Sequence, residues 1–182
     1  MYGPVVVRPN DKKDNYVKRC VAVAGDTLKI VNGQVFINSE PQTVWEGVQQ
    51  DYTVYTKGQP LSVSSLSRIG LSQRFNWAYD PNTSSYPALP LTEAKVEMIR
   101  QEPLVIADSV KVNIERYDAR RHPMEIFPFS SDSLYMWTRD NFGPLWIPAK
   151  DVEVELTIEN LPLYRRIISV YEKNDLKVDD GR

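Results

Sequence analysis

The residue of this chain best suited to acid–base chemistry is Lys18, in the segment NYVKRCVAVAGDT. In the extended strand predicted for residues 16–24, Lys18 shares a face with Tyr16 and Cys20. Apolar and aromatic neighbours exclude water from an amine, and this desolvation lowers its pKa, which a lysine needs to act as a general base. A lysine beside an arginine is also common on solvated strands, so a purely structural interpretation stays open.

Other catalytic and metal-binding groups are scarce. The sequence has one cysteine, Cys20, and one histidine, His122. A lone cysteine excludes an internal disulfide and a lone histidine excludes most zinc sites, so we expect no metal and no other cofactor. We interpret Cys20 as a small buried hydrophobic residue, because Cys–Lys dyads are rare, and His122 as a surface loop residue.

Composition restricts the partners and the fold class. The net charge of the 182 residues is −2, which gives no general attraction for nucleic acid. The apolar runs are short, whereas a membrane-spanning helix needs about 20 apolar residues. The 13 prolines and 10 tyrosines favour turns and half-buried strands over helices. The sequence therefore predicts a mainly β (α+β) fold of antiparallel hairpins with short helices.

The elements that position Lys18 begin with a hairpin. Residues 27–31 and 34–38 flank Asn32-Gly33, a pair typical of a type I′ turn, and Gly25-Asp26 ends the preceding strand. The predicted register places two apolar pairs on one face: Leu28 with Ile37, and Ile30 with Val35.

Further elements are predicted from periodicity and capping residues. Strands are expected in four segments: 4–8, 51–56, 104–117 and 152–159. Segment 80–90 is predicted to be a loop because of its prolines. Thr92 caps a helix over EAKVEMIRQ whose inward side chains are Val96, Ile99 and Met98, and Asn160 caps an amphipathic helix over about 161–173 that Asn174 ends. A strand over 176–178 followed by a turn without a return strand predicts a piece cut from a longer protein.

Residues 5–38 resemble the segment around the catalytic lysine of bacterial type I signal peptidases. The family pattern is Tyr-Ile/Val-Lys-Arg, a short apolar stretch, Pro-Gly-Asp, and a hairpin with an Asn-Gly or Asp-Gly turn. This chain matches it with Tyr16-Val17-Lys18-Arg19, Gly25-Asp26 and Asn32-Gly33, although Ala24 replaces the usual proline. The block from WTRDNFG to NDLKV is similar to the long insertion of Bacteroidetes signal peptidases.

The resemblance implies a serine–lysine dyad, in which a serine attacks the scissile carbonyl and a neutral lysine accepts its proton. It makes Lys18 the general base and assigns Arg19 and Asp26 to support of the active site. In the family the serine lies upstream, after an N-terminal membrane anchor. That block and the family's second block, Gly-Asp-Asn-Arg, are absent, since Asp140-Asn141 imitates the latter only superficially. We therefore expect a fragment that is inactive alone.

The implied parent enzyme removes signal peptides from exported preproteins at the bacterial inner membrane, with its catalytic domain facing the periplasm. The implied organisation is a core fragment over 1–40, a β-rich insertion over 41–150, and a strand, helix and truncated hairpin over 151–182. The alternative is a non-catalytic module that binds substrate or a partner of the export machinery, either in an active enzyme or in an inactive paralogue. A self-cleaving repressor-type serine–lysine protease fits poorly, because no pair of DNA-binding helices is encoded.

Two further clusters have simple structural interpretations. The basic residues Arg116, Arg120 and Arg121 are expected on a solvated face. The aromatic residues Trp137, Phe142 and Trp146 flank two prolines and are expected to form a small satellite core, although a peptide- or membrane-binding surface is the alternative.

Overall fold

The computed structural model describes residues 17–71, 77–118, 126–130 and 133–178. Antiparallel sheets with few, short helices make up its regular structure, which confirms the predicted mainly β (α+β) class. The chain divides into two units. The first combines the residues up to Gln42 with those from Glu115 onward, and the second is Thr43–Ile114.

The strands and helices are numbered along the chain. The strands are β1 (Thr27–Val31), β2 (Gln34–Ile37), β3 (Glu40–Pro41), β4 (Gln50–Thr56), β5 (Ser85–Leu91), β6 (Val105–Val112) and β7 (Phe142–Trp146). The helices are α1 (Val63–Arg68), α2 (Glu93–Arg100) and α3 (Leu161–Arg166), with a short 3₁₀ helix over Ser133–Tyr135 and a π-helical turn over Ile167–Tyr171.

In the first unit, four antiparallel strands follow the order β3-β2-β1-β7. The predicted hairpin is confirmed in type and register: Leu28 pairs with Ile37, and Ile30 with Val35. The φ angles of the two central turn residues are 49° for Asn32 and 82° for Gly33. A type I′ turn requires positive φ at both of these positions, and Asn and Gly are the residues that adopt it most readily.

Strand β7 joins the hairpin along β1, and the sequence analysis had not predicted it. Leu28 pairs with Leu145 and Ile30 with Phe142, so the register shifts by one residue between the two pairs. Gly143 lies at this irregularity with φ +82°, and a Cβ built there would lie 2.5 Å from the Leu28 carbonyl oxygen. The close approach of β7 to β1 therefore depends on the absence of a side chain at Gly143.

The second unit is a three-stranded antiparallel sheet, in the order β5-β4-β6, with α1 and α2. It contains the cluster of buried apolar side chains found among the described residues: Val54, Leu61, Ile69, Leu71, Tyr86, Leu89, Leu91, Val96, Ile99, Val105 and Val110. Burial of these side chains is the main stabilising contribution within this unit.

The loop predicted for residues 80–90 is wrong from Ser85 onward, because Ser85–Leu91 form β5. Prolines are tolerated in this strand because β5 is at the edge of its sheet, where a missing N–H breaks no ladder on the open side. The β4–β5 register also shifts between Tyr52 and Val54, and the carbonyl of Pro87 at this point accepts hydrogen bonds from the Thr53 hydroxyl and the Asn113 amide.

Helix α2 agrees with the prediction at its start and on its inner face. The hydroxyl of Thr92 accepts a hydrogen bond from the Lys95 N–H, and Val96 and Ile99 are buried. Met98 is 42 % exposed, so its inward assignment is wrong. Helix α1 was not predicted. Its N-cap is Ser62, whose hydroxyl accepts from the Ser65 N–H, and a serine at this position is a sequence signal for the start of a helix.

The strand predicted over 152–159 is also wrong, because these residues pair with no strand in the described part of the chain. Their alternating apolar side chains stay largely exposed, at 46 % for Val152 and 48 % for Leu156. The following helix is confirmed as α3 with its π-helical continuation, but both predicted caps are wrong. The Asn160 side chain makes no capping hydrogen bond and instead accepts from the Thr157 N–H and donates to the Glu155 carbonyl. At the other end Lys173, rather than Asn174, takes the left-handed conformation. Residues 176–178 form no strand, and the predicted strand over 4–8 lies outside the described residues.

Substitution of Gly143 by alanine is expected to destabilise the first unit strongly, because the new Cβ would overlap the Leu28 carbonyl. The matched control is Gly25→Ala: φ there is +96°, but a Cβ would meet nothing within 4 Å. Thermal unfolding should show a cost of about 1–2 kcal/mol for Gly25→Ala from the backbone alone and about 2–3 kcal/mol more for Gly143→Ala from overpacking. Equal losses in the two variants would contradict the close packing of β7 on β1.

Candidate functional site

The segment that carries Lys18 is exposed. Residues 17–20 are all exposed, and Val17 retains 94 % of its accessible surface. Residues 17–23 form no strand, so the strand predicted over 16–24 is wrong in its described part. The apolar face that Lys18 was expected to share with Cys20 is therefore not formed by these residues, and Tyr16 lies outside the described part of the chain.

A β-turn over Val23–Asp26 connects the lysine segment to the hairpin. The Asp26 N–H donates to the Val23 carbonyl at 3.0 Å. Gly25, the third residue of the turn, has φ +96°, and Ala24 before it does not have a positive φ. This combination is the type II turn, whose second position favours proline and whose third position favours glycine. Ala24 therefore occupies the position at which the resembling family usually has proline.

The carboxylate of Asp26 is the centre of the hydrogen bonds at the hairpin base. One oxygen accepts from the Val23 N–H at 2.9 Å and the other from the Asn38 side-chain amide at 2.8 Å. The Val23 hydrogen bond, followed by that of Asn38, lowers the pKa of Asp26, because both donors favour its charged form. Asn38 in turn accepts from the Thr27 N–H at 2.9 Å. Asp26 thus fixes the turn to the end of β2.

The same turn is also attached to the end of β7. The Gly25 N–H donates to the Ile147 carbonyl at 2.8 Å, and the Ile147 N–H donates to the Asp26 carbonyl at 2.8 Å. Gly25 and Asp26 thus both oppose Ile147, which makes a β-bulge at the end of the β1–β7 ladder, and the first of the two residues is a glycine with positive φ. The turn that follows the lysine segment is consequently attached both to the end of β2 and to the end of β7.

The loop before β7 holds the opposite end of the hairpin, a role that the sequence analysis did not assign. The Asn141 side-chain oxygen accepts from the Asn32 N–H at 3.1 Å, and the Asp140 carbonyl accepts from the Gly33 N–H at 2.9 Å. The Asp140 carboxylate accepts from the Glu115 N–H at 2.6 Å. Asp140 and Asn141 therefore hold the Asn-Gly turn in place by hydrogen bonds. Because Asp and Asn side chains commonly hydrogen-bond the backbone of turns, their presence here was the sequence signal for this role.

The other candidates divide into described and undescribed residues. Cys20 is exposed and its thiol donates to the Ala22 carbonyl at 3.2 Å, so the prediction that it is buried is wrong. Arg116 is exposed, as expected of a solvated face, whereas Arg120, Arg121 and His122 lie outside the described residues.

The aromatic cluster forms in part. The rings of Trp137 and Phe142 lie 4.5 Å apart, and Tyr135 packs edge-on against Trp137 at 5.0 Å. Trp146 is 42 % exposed. The satellite core therefore consists of Tyr135, Trp137 and Phe142.

Within the described ranges, no group of three or more His, Cys, Asp or Glu residues is placed to hold a metal ion. The helices in the same ranges include none that is long and apolar enough to cross a membrane. The site therefore consists of one candidate proton acceptor, Lys18, followed by a rigid turn whose centre is Asp26.

Comparison with known proteins gives one match. A family model described as "Signal peptidase, peptidase S26" matches residues 3–111, more than half of the chain. The matched range includes Lys18, Arg19 and Asp26, together with the hairpin. A search of curated proteins gave no match, and neither did a search of solved structures.

Replacing Ala24 with proline is expected to stabilise the protein by about 0.5–1 kcal/mol, because proline fixes the φ that the second position of a type II turn requires and restricts the unfolded chain. Thermal unfolding monitored by circular dichroism is the measurement. A decrease in melting temperature would show that the turn at Val23–Asp26 is of another type.

Acidification should weaken the hairpin base. Because the pKa of Asp26 is lower in the folded protein than its ordinary value of about 3.9, its contribution to stability is complete above that ordinary value and is lost as the pH falls through the folded pKa. The melting temperature of the wild type should therefore decrease more between about pH 5 and pH 3 than that of Asp26→Asn. Parallel pH profiles of the two proteins would contradict this role.

Proposed function

Because this chain belongs to the signal peptidase family, peptidase S26, we propose that it is the lysine-bearing part of a membrane-anchored serine endopeptidase. The enzyme removes signal peptides from exported preproteins at the bacterial inner membrane, with its catalytic domain facing the periplasm. The observation that carries this proposal is the family match over residues 3–111, which includes Lys18 and the Gly-Asp turn in the order that the family has.

The proposed chemistry is acyl transfer by a serine–lysine dyad. A serine hydroxyl, contributed by a segment upstream of this chain, attacks the scissile carbonyl while the neutral amine of Lys18 accepts its proton. The lysine then gives this proton to the departing amine, and water releases the acyl group from the serine. Without the serine, the chain on its own hydrolyses nothing.

Arg19 and Asp26 have supporting roles in this proposal. Asp26 fixes the turn through the N–H of Val23 and the amide of Asn38, and so limits how far the segment before the turn can move. A general base has to lie within about 3 Å of the proton that it removes, so a mobile lysine would lose much of its effect. Arg19 adjoins Lys18 in sequence, and its assignment to support of the active site rests on the family resemblance alone.

The test is Lys18→Ala in the full-length parent enzyme, with preprotein processing measured in membranes. Loss of the general base should reduce processing by about 10²–10⁴-fold. Lys29→Ala is the matched control, since Lys29 is another exposed lysine, on β1 of the same unit, and its loss should leave processing unchanged. Normal processing by Lys18→Ala would refute the assignment of the base.

A second candidate function is a non-catalytic module that binds substrate or an export partner. The exposure of residues 17–20 and the alanine at position 24 favour it. The two candidates separate when the unmodified parent is incubated with a preprotein. Binding without any cleavage, in a parent with no serine after a hydrophobic anchor, would establish the second candidate.

A further inference from the structure

A groove with an exposed aromatic wall opens on the Thr43–Ile114 unit. Its volume is about 480 Å³, within the range of about 300–1,000 Å³ typical of ligand sites. The apolar lining includes Val44, Trp45, Val48 and Tyr52. Val44 is 62 % exposed and Trp45 is 61 % exposed. Adjacent large apolar side chains left in water on a folded unit are typical of a surface that binds another molecule.

The wall of this groove is held by local backbone structure. The Val48 N–H donates to the Trp45 carbonyl at 3.1 Å, which closes a β-turn. The turn brings the first and last of its four residues together, so the Trp45 and Val48 side chains extend from neighbouring points of the backbone. On the other side the groove ends at the start of α2, where Thr92 caps the helix. A fixed wall lowers the entropy cost of binding.

The charged side chains in the described lining of the groove are acidic. Among the residues that the structure describes, the lining contains two acidic residues, Glu46 at the tip of the turn and Glu93 in the first turn of α2, and no lysine or arginine. The nearest basic residue of α2, Lys95, donates to the Gly70 carbonyl at 3.0 Å instead. An apolar floor with an acidic rim complements a segment that combines apolar side chains with a positive charge, and repels an acidic one.

We infer that this groove binds a peptide segment in which lysine or arginine adjoins apolar residues, with the apolar side chains against Trp45 and the cation between Glu46 and Glu93. The groove is a site separate from Lys18, and the inference does not rest on the proposed function.

The test is calorimetric titration of the 182-residue chain with a soluble synthetic peptide of lysines followed by alternating leucine and alanine. Trp45→Ala should weaken binding by about tenfold, because an aromatic anchor contributes most of the affinity of such a contact. The double change Glu46→Gln and Glu93→Gln should weaken it by about fivefold and reduce its dependence on salt. A peptide with glutamates in place of the lysines should not bind.

The matched controls are Ile106→Ala and Glu97→Gln, which alter an exposed apolar residue and an exposed acidic residue of the same unit outside the groove. Both should bind the peptide as the wild type does. Unchanged affinity in Trp45→Ala, or equal affinity for the glutamate peptide, would overturn the inference. Self-association that Trp45→Ala abolishes, without peptide binding, would identify a second copy of the chain as the occupant and also overturn it.

Because this titration requires no cleavage, its outcome is separate from that of the Lys18→Ala experiment. Processing that depends on Lys18, together with an absence of peptide binding, would remove the groove inference and leave the proposed function in place. Peptide binding at the groove, together with normal processing by Lys18→Ala, would leave the groove and remove the assignment of the base.

Discussion

The carboxylate of Asp26 joins the turn after the lysine segment to the end of β2, at the point where β2 pairs with the first residues of β1. It accepts from the Val23 N–H and from the Asn38 amide, and Asn38 accepts from the Thr27 N–H. Charged acceptors make stronger hydrogen bonds than neutral ones, so an uncharged side chain of similar shape would hold this junction less firmly. The carboxylate therefore adds strong hydrogen bonds to the backbone pairing that holds the hairpin base.

The hairpin that follows the lysine segment also depends on residues far away in sequence. The residues on either side of β7 hold both ends of the hairpin, through Ile147 at the base and Asp140 and Asn141 at the tip. These residues lie beyond the range 3–111 that matches the peptidase S26 family. The part of the sequence that identifies the family is thus completed, as a sheet, by a part that does not match the family model. Loss of β7 would expose the open edge of β1.

The features that sequence reasoning predicted correctly are determined within a few residues. The Asn32-Gly33 turn fixes the register of the hairpin, and Thr92 fixes the start of α2. The features that it missed depend on distant partners. Strand β5 contains two prolines that are compatible with a strand only because β5 lies at an edge, and residues 152–159 alternate cleanly but have no strand to pair with among the described residues.

The candidate site also combines a feature set by neighbouring residues with one that depends on distant parts of the protein. The Gly25-Asp26 turn could be located from its residue types, whereas the environment of Lys18 could not, because solvation of a side chain depends on what packs over it. A general base has to be neutral to accept the proton of the serine hydroxyl. The segment around Lys18 is exposed, so the proposed activity requires that a further part of the enzyme, or the preprotein itself, covers it. Water would then be excluded from the amine in the same step that brings the scissile bond to the serine. In this scheme the base becomes active only when the site is assembled.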